Sequence, residues 1–188
     1  MDPTAELRER DALLDRLSGF IEKEGIRNFS PESAAREIGV DVERLAEFFP
    51  TNTELIVALI ARNRINLRKQ FVELDRSVGS YDQFQRIMWN LYVENANASR
   101  LFFETYAIAL FDEHYGDFLH GVNDWLNLLK ESLHRRGIPD DRAEAIATLT
   151  LTVYRGAMMD LLATGERARV NAAMELWFKT VQGFFESR

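Results

Sequence analysis

Apolar positions recur along this chain at intervals of three and four, the spacing that lines one face of an α-helix, and no segment alternates like a half-buried strand. The first helix is predicted from about Ala5 to Glu24, with Leu13, Leu14, Leu17, Phe20 and Ile21 on one face and Gly25 behind it as a left-handed stop. Ser30-Pro31 reads as an N-cap followed by a proline at the first helical position, where its missing N–H costs nothing. The helix it starts carries Ala34, Ala35 and Ile38 and breaks at Gly39. Asp41 is placed to cap another short helix, about Val42 to Phe48, anchored by Val42, Leu45 and Phe49 and ended by Pro50. Thr51 and Glu54 form a capping box that opens a long helix to about Asp75.

Gly79 and Ser80 make the next break, and Ser80 with Gln83 is a second capping box, starting a helix to about Ala96. Further helices are predicted over about Ala98 to Phe111, Tyr115 to Arg136 (stopped by Gly137 and Pro139), Asp140 to Ala163 (stopped by Gly165) and Arg167 to Phe185. The expectation is an all-α protein of about nine helices. Residues 1–50 would form a three-helix helix-turn-helix domain and residues 51–188 a helical bundle domain. In the first of these, Ala34-Ala35 and Ile38-Gly39-Val40 supply the small residues and glycine turn that a steep crossing of two short helices needs. The same spacing also suits an ordinary pair of short helices in a bundle.

Composition narrows the function classes. The absence of cysteine excludes disulfides, thiolate metal sites and a cysteine nucleophile. It suits a reducing compartment, so a cytoplasmic location is expected. Met1-Asp2-Pro3-Thr4-Ala5-Glu6 is acidic and polar, unlike a secretion signal, and apolar runs such as Leu55 to Ala61 are too short to cross a bilayer. No Gly-rich phosphate loop, nucleophile elbow or zinc signature is present, so neither an enzyme nor a bound cofactor is expected. Asp117-x-x-His120 and Glu131-x-x-His134 have the spacing of di-iron pairs but share one helix, so no metal site is expected. The pair Arg135-Arg136 before Gly137 reads as a helix C-terminus complementing the dipole.

Residues 13–60 resemble the DNA-binding domain of the TetR family. The resemblance rests on Phe20, Gly25, Phe29-Ser30, Ala34-Ala35, Gly39-Val40, Leu45, Phe49 and Leu55-Ile56, which match the family pattern in order and spacing. It implies a homodimer that binds operator DNA and is released by a small-molecule effector. Carried over onto this chain, the DNA-facing candidates are Arg27, Arg36, Asp41, Glu43, Arg44, Glu47, Phe48, Thr51 and Asn52. The contact surface departs from the pattern. Asp41 replaces the usual Ser or Thr, and Glu43-Arg44 the small residue and Thr before the Leu. Ala46 and Phe48 stand for the phosphate-facing Tyr and His, and Asn52 for a Lys.

Charge bears on this directly. The net charge is −7, and residues 1–54 hold 13 Asp and Glu against 7 Lys and Arg, so nearly all the excess lies in the helix-turn-helix segment. Lys and Arg neutralising phosphates supply most of the affinity for a duplex. Two readings therefore stand: an operator-binding regulator, and a protein of the same fold whose degenerate helix-turn-helix does not bind DNA and which acts through small-molecule or protein contacts.

The last two helices are apolar on more than one side. Ala143, Ile146, Ala147, Thr150, Leu151, Tyr154, Ala157, Met158, Leu161 and Leu162 form one broad face, with Thr148, Thr152 and Gly156 on a second. Val170, Ala173, Met174, Trp177, Val181 and Phe184 follow on the final helix. Such helices need two partners, and a symmetric four-helix interface over residues 140–186 supplies the second. A single large core is the competing reading. Aromatics cluster in the middle of the chain, where the resemblance places a ligand cavity. The candidates there are Trp89, Tyr92, Phe102, Phe103, Tyr106, Phe111 and Trp125, with His120, Asn123 and Tyr154 as polar partners for an apolar or aromatic effector.

Overall fold

The computed structural model describes residues 3–186. Among these residues there are nine α-helices and no strand. They are α1 (Pro3–Asn28), α2 (Pro31–Ile38), α3 (Val42–Phe48), α4 (Asn52–Ser77), α5 (Tyr81–Glu94), α6 (Ala96–Ala109), α7 (Gly116–Arg135), α8 (Asp140–Thr164) and α9 (Arg167–Glu186), with one 3₁₀ turn at Glu113–Tyr115. The expected helices are all present, displaced by a few residues at their ends. No helix among the described residues is long and apolar enough to cross a membrane.

The punctuation works as local chemistry dictates, with two differences. Ser30 accepts from the Ser33 amide, and Ser33 Oγ accepts from the Ser30 amide, closing a reciprocal box on α2. Gly25 takes φ 73° and ψ 170°, a glycine-only conformation, but the chain turns helical again for a few residues before it ends at Asn28. Asp41 occupies the N-cap position of α3 without making a side-chain cap bond, so its exposed carboxylate faces solvent.

Packing divides the chain into two compact units. The first comprises residues up to Arg68 together with Arg100–Leu119. Its core joins Leu17 and Ile21 of α1, Ala34 and Ala35 of α2 and Leu45 of α3 to Leu55 and Leu59 of α4 and Leu101 of α6. The helix-turn-helix sequence ends near residue 50, but one long and two short helices bury too little apolar surface to stand alone. They lean on the first half of α4 and on α6.

The second unit comprises Lys69–Ser99 and the residues from His120 onward. Here α8 packs on α9, and both pack on α5. Its core holds Phe71, Phe84, Leu133, Ile138, Ala143, Ala147 and Val181. A buried polar cluster pins the end of α4. Asp75, whose side chain is fully buried, accepts from Ser132 Oγ at 2.6 Å and from Arg136 at 2.7 Å, and is also paired with Arg135. Arg136 further donates to the carbonyls of Asp75, Val78 and Ser132, satisfying the C-terminal ends of both α4 and α7. The Arg135-Arg136 pair therefore does more than complement a helix dipole.

Candidate nucleic-acid face and candidate ligand cavity

The helix-turn-helix is built from the turn outward. Gly39 adopts φ 64°, the left-handed conformation that ends α2, and the Val40 amide donates to the Ala35 carbonyl at 3.0 Å. Ala34, Ala35, Ile38 and Leu45 point into the core, and the small size of Ala34 and Ala35 lets α2 pack closely at the turn. Outward from this frame, α3 exposes Glu43, Ala46 and Glu47, preceded by exposed Asp41, while Phe48 is half-buried.

The one arginine on α3 is bound by its own chain. Arg44 donates to Glu9 through Nε at 3.0 Å and Nη2 at 2.5 Å, pairs with Glu47, and lies 4.7 Å from the Phe48 ring centroid. Its hydrogen bonds to Glu9 and then Glu47 push its pKa above the ordinary arginine range, so it stays cationic, yet two carboxylates already meet that charge. Arg27 and Arg36 are exposed, and neither side chain has an ion pair among the described residues. At the start of α4, the Thr51 amide donates to the Glu54 carboxylate at 3.0 Å, and the Glu54 amide donates to Thr51 Oγ1 at 3.2 Å. This box puts an acidic group where a phosphate would approach the helix end. Asn52 Nδ2 turns back to the Phe29 carbonyl at 3.5 Å. Glu32 adds a further carboxylate at the start of α2, its pKa lowered by its own backbone amide and the Ser30 hydroxyl.

A carboxylate also fixes the approach to α2. The amides of Ile26 and Arg27 donate to Glu104 of α6 at 2.8 and 3.1 Å. A Cβ on Gly25 would lie 2.8 Å from Glu104 Oε2 and would displace that carboxylate from the Ile26 and Arg27 amides, while the positive φ itself calls for glycine.

The aromatic candidates do not converge on one place. Tyr92, Trp125 and Tyr154 line a cavity inside the second unit. Trp89 packs edge-on against Tyr154 and donates from Nε1 to Asn171 at 2.9 Å, beside that cavity but outside its lining. Phe102, Phe103 and Tyr106 belong to the first unit, where Phe102 and Tyr106 pack with Phe118. Phe111 is 92% exposed on the turn that follows α6, and His120 and Asn123 are exposed on α7.

Seven cavity residues escaped the sequence reading: Phe71, Phe84, Gln85, Met88, Leu129, Thr150 and Leu151. One of them carried a signal. Gln85 is a polar residue set into the apolar stripe Tyr81, Phe84, Met88, Trp89 and Tyr92 of α5, and such an interruption marks a buried polar group. The void is small, about 30 Å³, room for a water or two and well below a drug-sized ligand. Asp, Glu, Lys, Arg and His are absent from its lining. Burial raises the pKa values of Tyr92 and Tyr154, so their hydroxyls are neutral at physiological pH.

No protein-family model matches the sequence, and no curated protein does. Solved structures do match. A TetR-family transcriptional regulator from Cytophaga hutchinsonii aligns at TM-score 0.75 and 14% identity, over 95% of this chain and 94% of that one. A TetR-family regulator from Streptomyces coelicolor aligns at TM-score 0.70 and 20% identity, over 97% and 95%. The transcriptional regulator FadR from Bacillus subtilis, in complex with stearoyl-CoA, aligns at TM-score 0.66 and 12% identity, over 87% and 95%. At these identities the likeness is one of fold, and it runs through the helix-turn-helix frame and the helical bundle alike. This chain has the all-α fold of the TetR-family transcriptional regulators.

Proposed function

We propose that this chain is a homodimeric transcriptional regulator, cytoplasmic and without catalytic activity, that binds operator DNA and is released by a small apolar or aromatic effector. Residues 1–50 would read the operator, and residues 51–188 would carry the effector cavity and the dimer contact. The observation that carries this reading is the frame of α2 and α3: a left-handed Gly39 turn over buried Ala34, Ala35 and Leu45, within a chain that aligns over 95% of its length with a solved regulator. A dimer is supported by an uncharged strip on the last two helices. Thr148, Leu149, Thr152, Gly156 and Met159 of α8 and Ala172, Ala173 and Leu176 of α9 are all exposed, with Leu176 at 68%. Small residues at helical spacing permit close approach of a second copy. The void lined by Tyr92, Trp125 and Tyr154 supports an apolar effector.

Mechanically, α4 contributes to both compact units, so its tilt is the natural link between an effector and the reading helices. Half-sites on DNA repeat about every 34–36 Å, so a shift of a few ångströms in helix separation spoils simultaneous contact. The effector must bind the state that does not fit the operator more tightly. The test is a gel shift against genomic fragments at about 50 mM salt, where phosphate contacts are strong, followed by release on adding effector. Absence of any shifted fragment refutes operator binding, and an effector that leaves operator affinity unchanged refutes the coupling.

A second reading is favoured by one specific observation, the face of α3. Between residues 27 and 54 the chain carries three arginines against six carboxylates, and Arg44 is already paired. In that reading the same dimer and cavity operate without DNA, through protein or small-molecule contacts.

A further inference from the structure

We propose that Gln85 is the recognition group of the cavity in the second unit, and that this cavity selects a neutral, mostly apolar molecule bearing a cis-amide edge, an N–H beside a carbonyl as in a lactam. This rests on the effector-responsive reading above and names the chemistry of its ligand. Gln85 is 2% exposed and lines the cavity, and neither its Oε1 nor its Nε2 meets a partner in hydrogen-bond geometry; the buried Tyr81 hydroxyl beside it is likewise without one. Such burial is costly, and a carboxamide left with both functions unused is poised for a ligand.

Two other polar groups in the lining are committed elsewhere. The Tyr154 hydroxyl donates to the Gln85 backbone carbonyl at 2.7 Å, which also ties α8 to α5. Thr150 Oγ1 donates to the Ile146 carbonyl of its own helix at 2.7 Å. Gln85 therefore offers one acceptor and one donor on a single planar group, the complement of a cis-amide edge. An anionic ligand would enter a lining that has no cation to meet it. The faces of Phe71, Phe84, Tyr92 and Trp125 suit a flat ring system. Entry requires the void to widen, and Met88 and Leu151, both only partly buried, are the side chains placed to move.

The test is equilibrium dialysis of the full-length protein against three probes of one shape: quinolin-2(1H)-one, its N-methyl derivative and naphthalene. The wild type is expected to bind quinolin-2(1H)-one at least about tenfold more tightly than either of the others, because a buried polar group left unpaired penalises the analogue lacking its partner. Gln85→Met should bring the three affinities together. Without ligand, this variant should melt no lower than the wild type, since an apolar isostere replaces an unsatisfied amide. Equal binding of all three probes to the wild type, or a preference that survives in Gln85→Met, overturns the amide assignment and leaves the effector cavity standing. A lower melting temperature for Gln85→Met shows that the amide has a partner within the fold and overturns the assignment too. Failure of all three probes to bind overturns the cavity as a site, and with it the effector reading.

Discussion

The salt dependence of operator binding is set by how many phosphates this face can neutralise, and the structure allows that number to be counted. Of the three arginines between residues 27 and 54, Arg44 is held by Glu9 and Glu47, leaving Arg27 and Arg36. A dimer then brings four cations to the duplex, and with a slope of about −0.9 per phosphate the logarithm of affinity should fall by about 3.6 per tenfold increase in salt. Between about 50 and 200 mM salt this is a loss of roughly 150-fold, at the weak end for regulators of this size. Converting Glu9 and Glu47 together to glutamine releases Arg44. The double variant should then bind more tightly at low salt, with a slope near −5.4 as two further phosphates are engaged. Fluorescence anisotropy with a labelled operator over a salt series measures both slopes. A wild-type slope of about −7 or steeper would place the phosphate contacts on cations outside this face. A double variant with an unchanged slope would refute the claim that the Glu9 and Glu47 pairs withhold Arg44. If neither protein binds at low salt, the DNA-free reading takes over.

Four other outcomes follow from the packing. Leu176→Glu puts a charge on the uncharged α8–α9 strip and should turn a dimer into a monomer by light scattering, whereas a wild-type monomer at micromolar concentration refutes the interface outright. Arg136→Ala removes the hydrogen bonds to Asp75, Val78 and Ser132 and leaves the buried Asp75 with Arg135 as an ion-pair partner, so urea unfolding should show a loss of about 3 kcal/mol or more. Gly25→Ala forces a side chain into a glycine-only conformation and against Glu104, and should cost about 1–3 kcal/mol by the same assay. Arg169 hydrogen-bonds Asp160 and lowers its pKa below the ordinary 3.8, so the contribution is complete above that value and is lost as pH falls through the lowered one; Arg169→Ala should therefore flatten the acid limb of a plot of melting temperature against pH.

What could be read along the chain, and what could not, divides by sequence distance. The caps at Ser30 and Thr51, the turn at Gly39 and the stop at Gly165 depend on residues within a few positions of each other, and all four were legible from spacing alone. Arg44 was also legible, but as a candidate DNA contact. Its partner Glu9 lies 35 residues earlier on a different helix, and no local pattern announces that pair. The aromatic candidates failed to converge for a related reason. Composition says that rings must be buried somewhere, but direction depends on helix ends. α6 stops at Ala109, two residues short of the expected end, and that leaves Phe111 on the turn at 92% exposure. Gln85 is the opposite case, a polar residue inside an apolar stripe and so visible to anyone weighing interruptions as well as repeats.

The two sites share one physical theme: each turns on a polar group whose bonding inside the fold decides whether it is available outside it. The Arg44 guanidinium is already satisfied by carboxylates of its own chain, so the segment from residue 27 to 54, with three arginines against six carboxylates, carries net negative charge. The Gln85 carboxamide is unsatisfied, so in the proposed reading a small and nearly apolar void would still have the means to discriminate among ligands. An operator with few phosphate contacts is also easier to leave, because every withheld cation reduces the differential affinity an effector must supply to shift the population. In the proposed regulator, a reading helix with few free cations and a small cavity would be consistent parts of one device, in which a compact neutral effector of modest affinity would be sufficient to release the dimer.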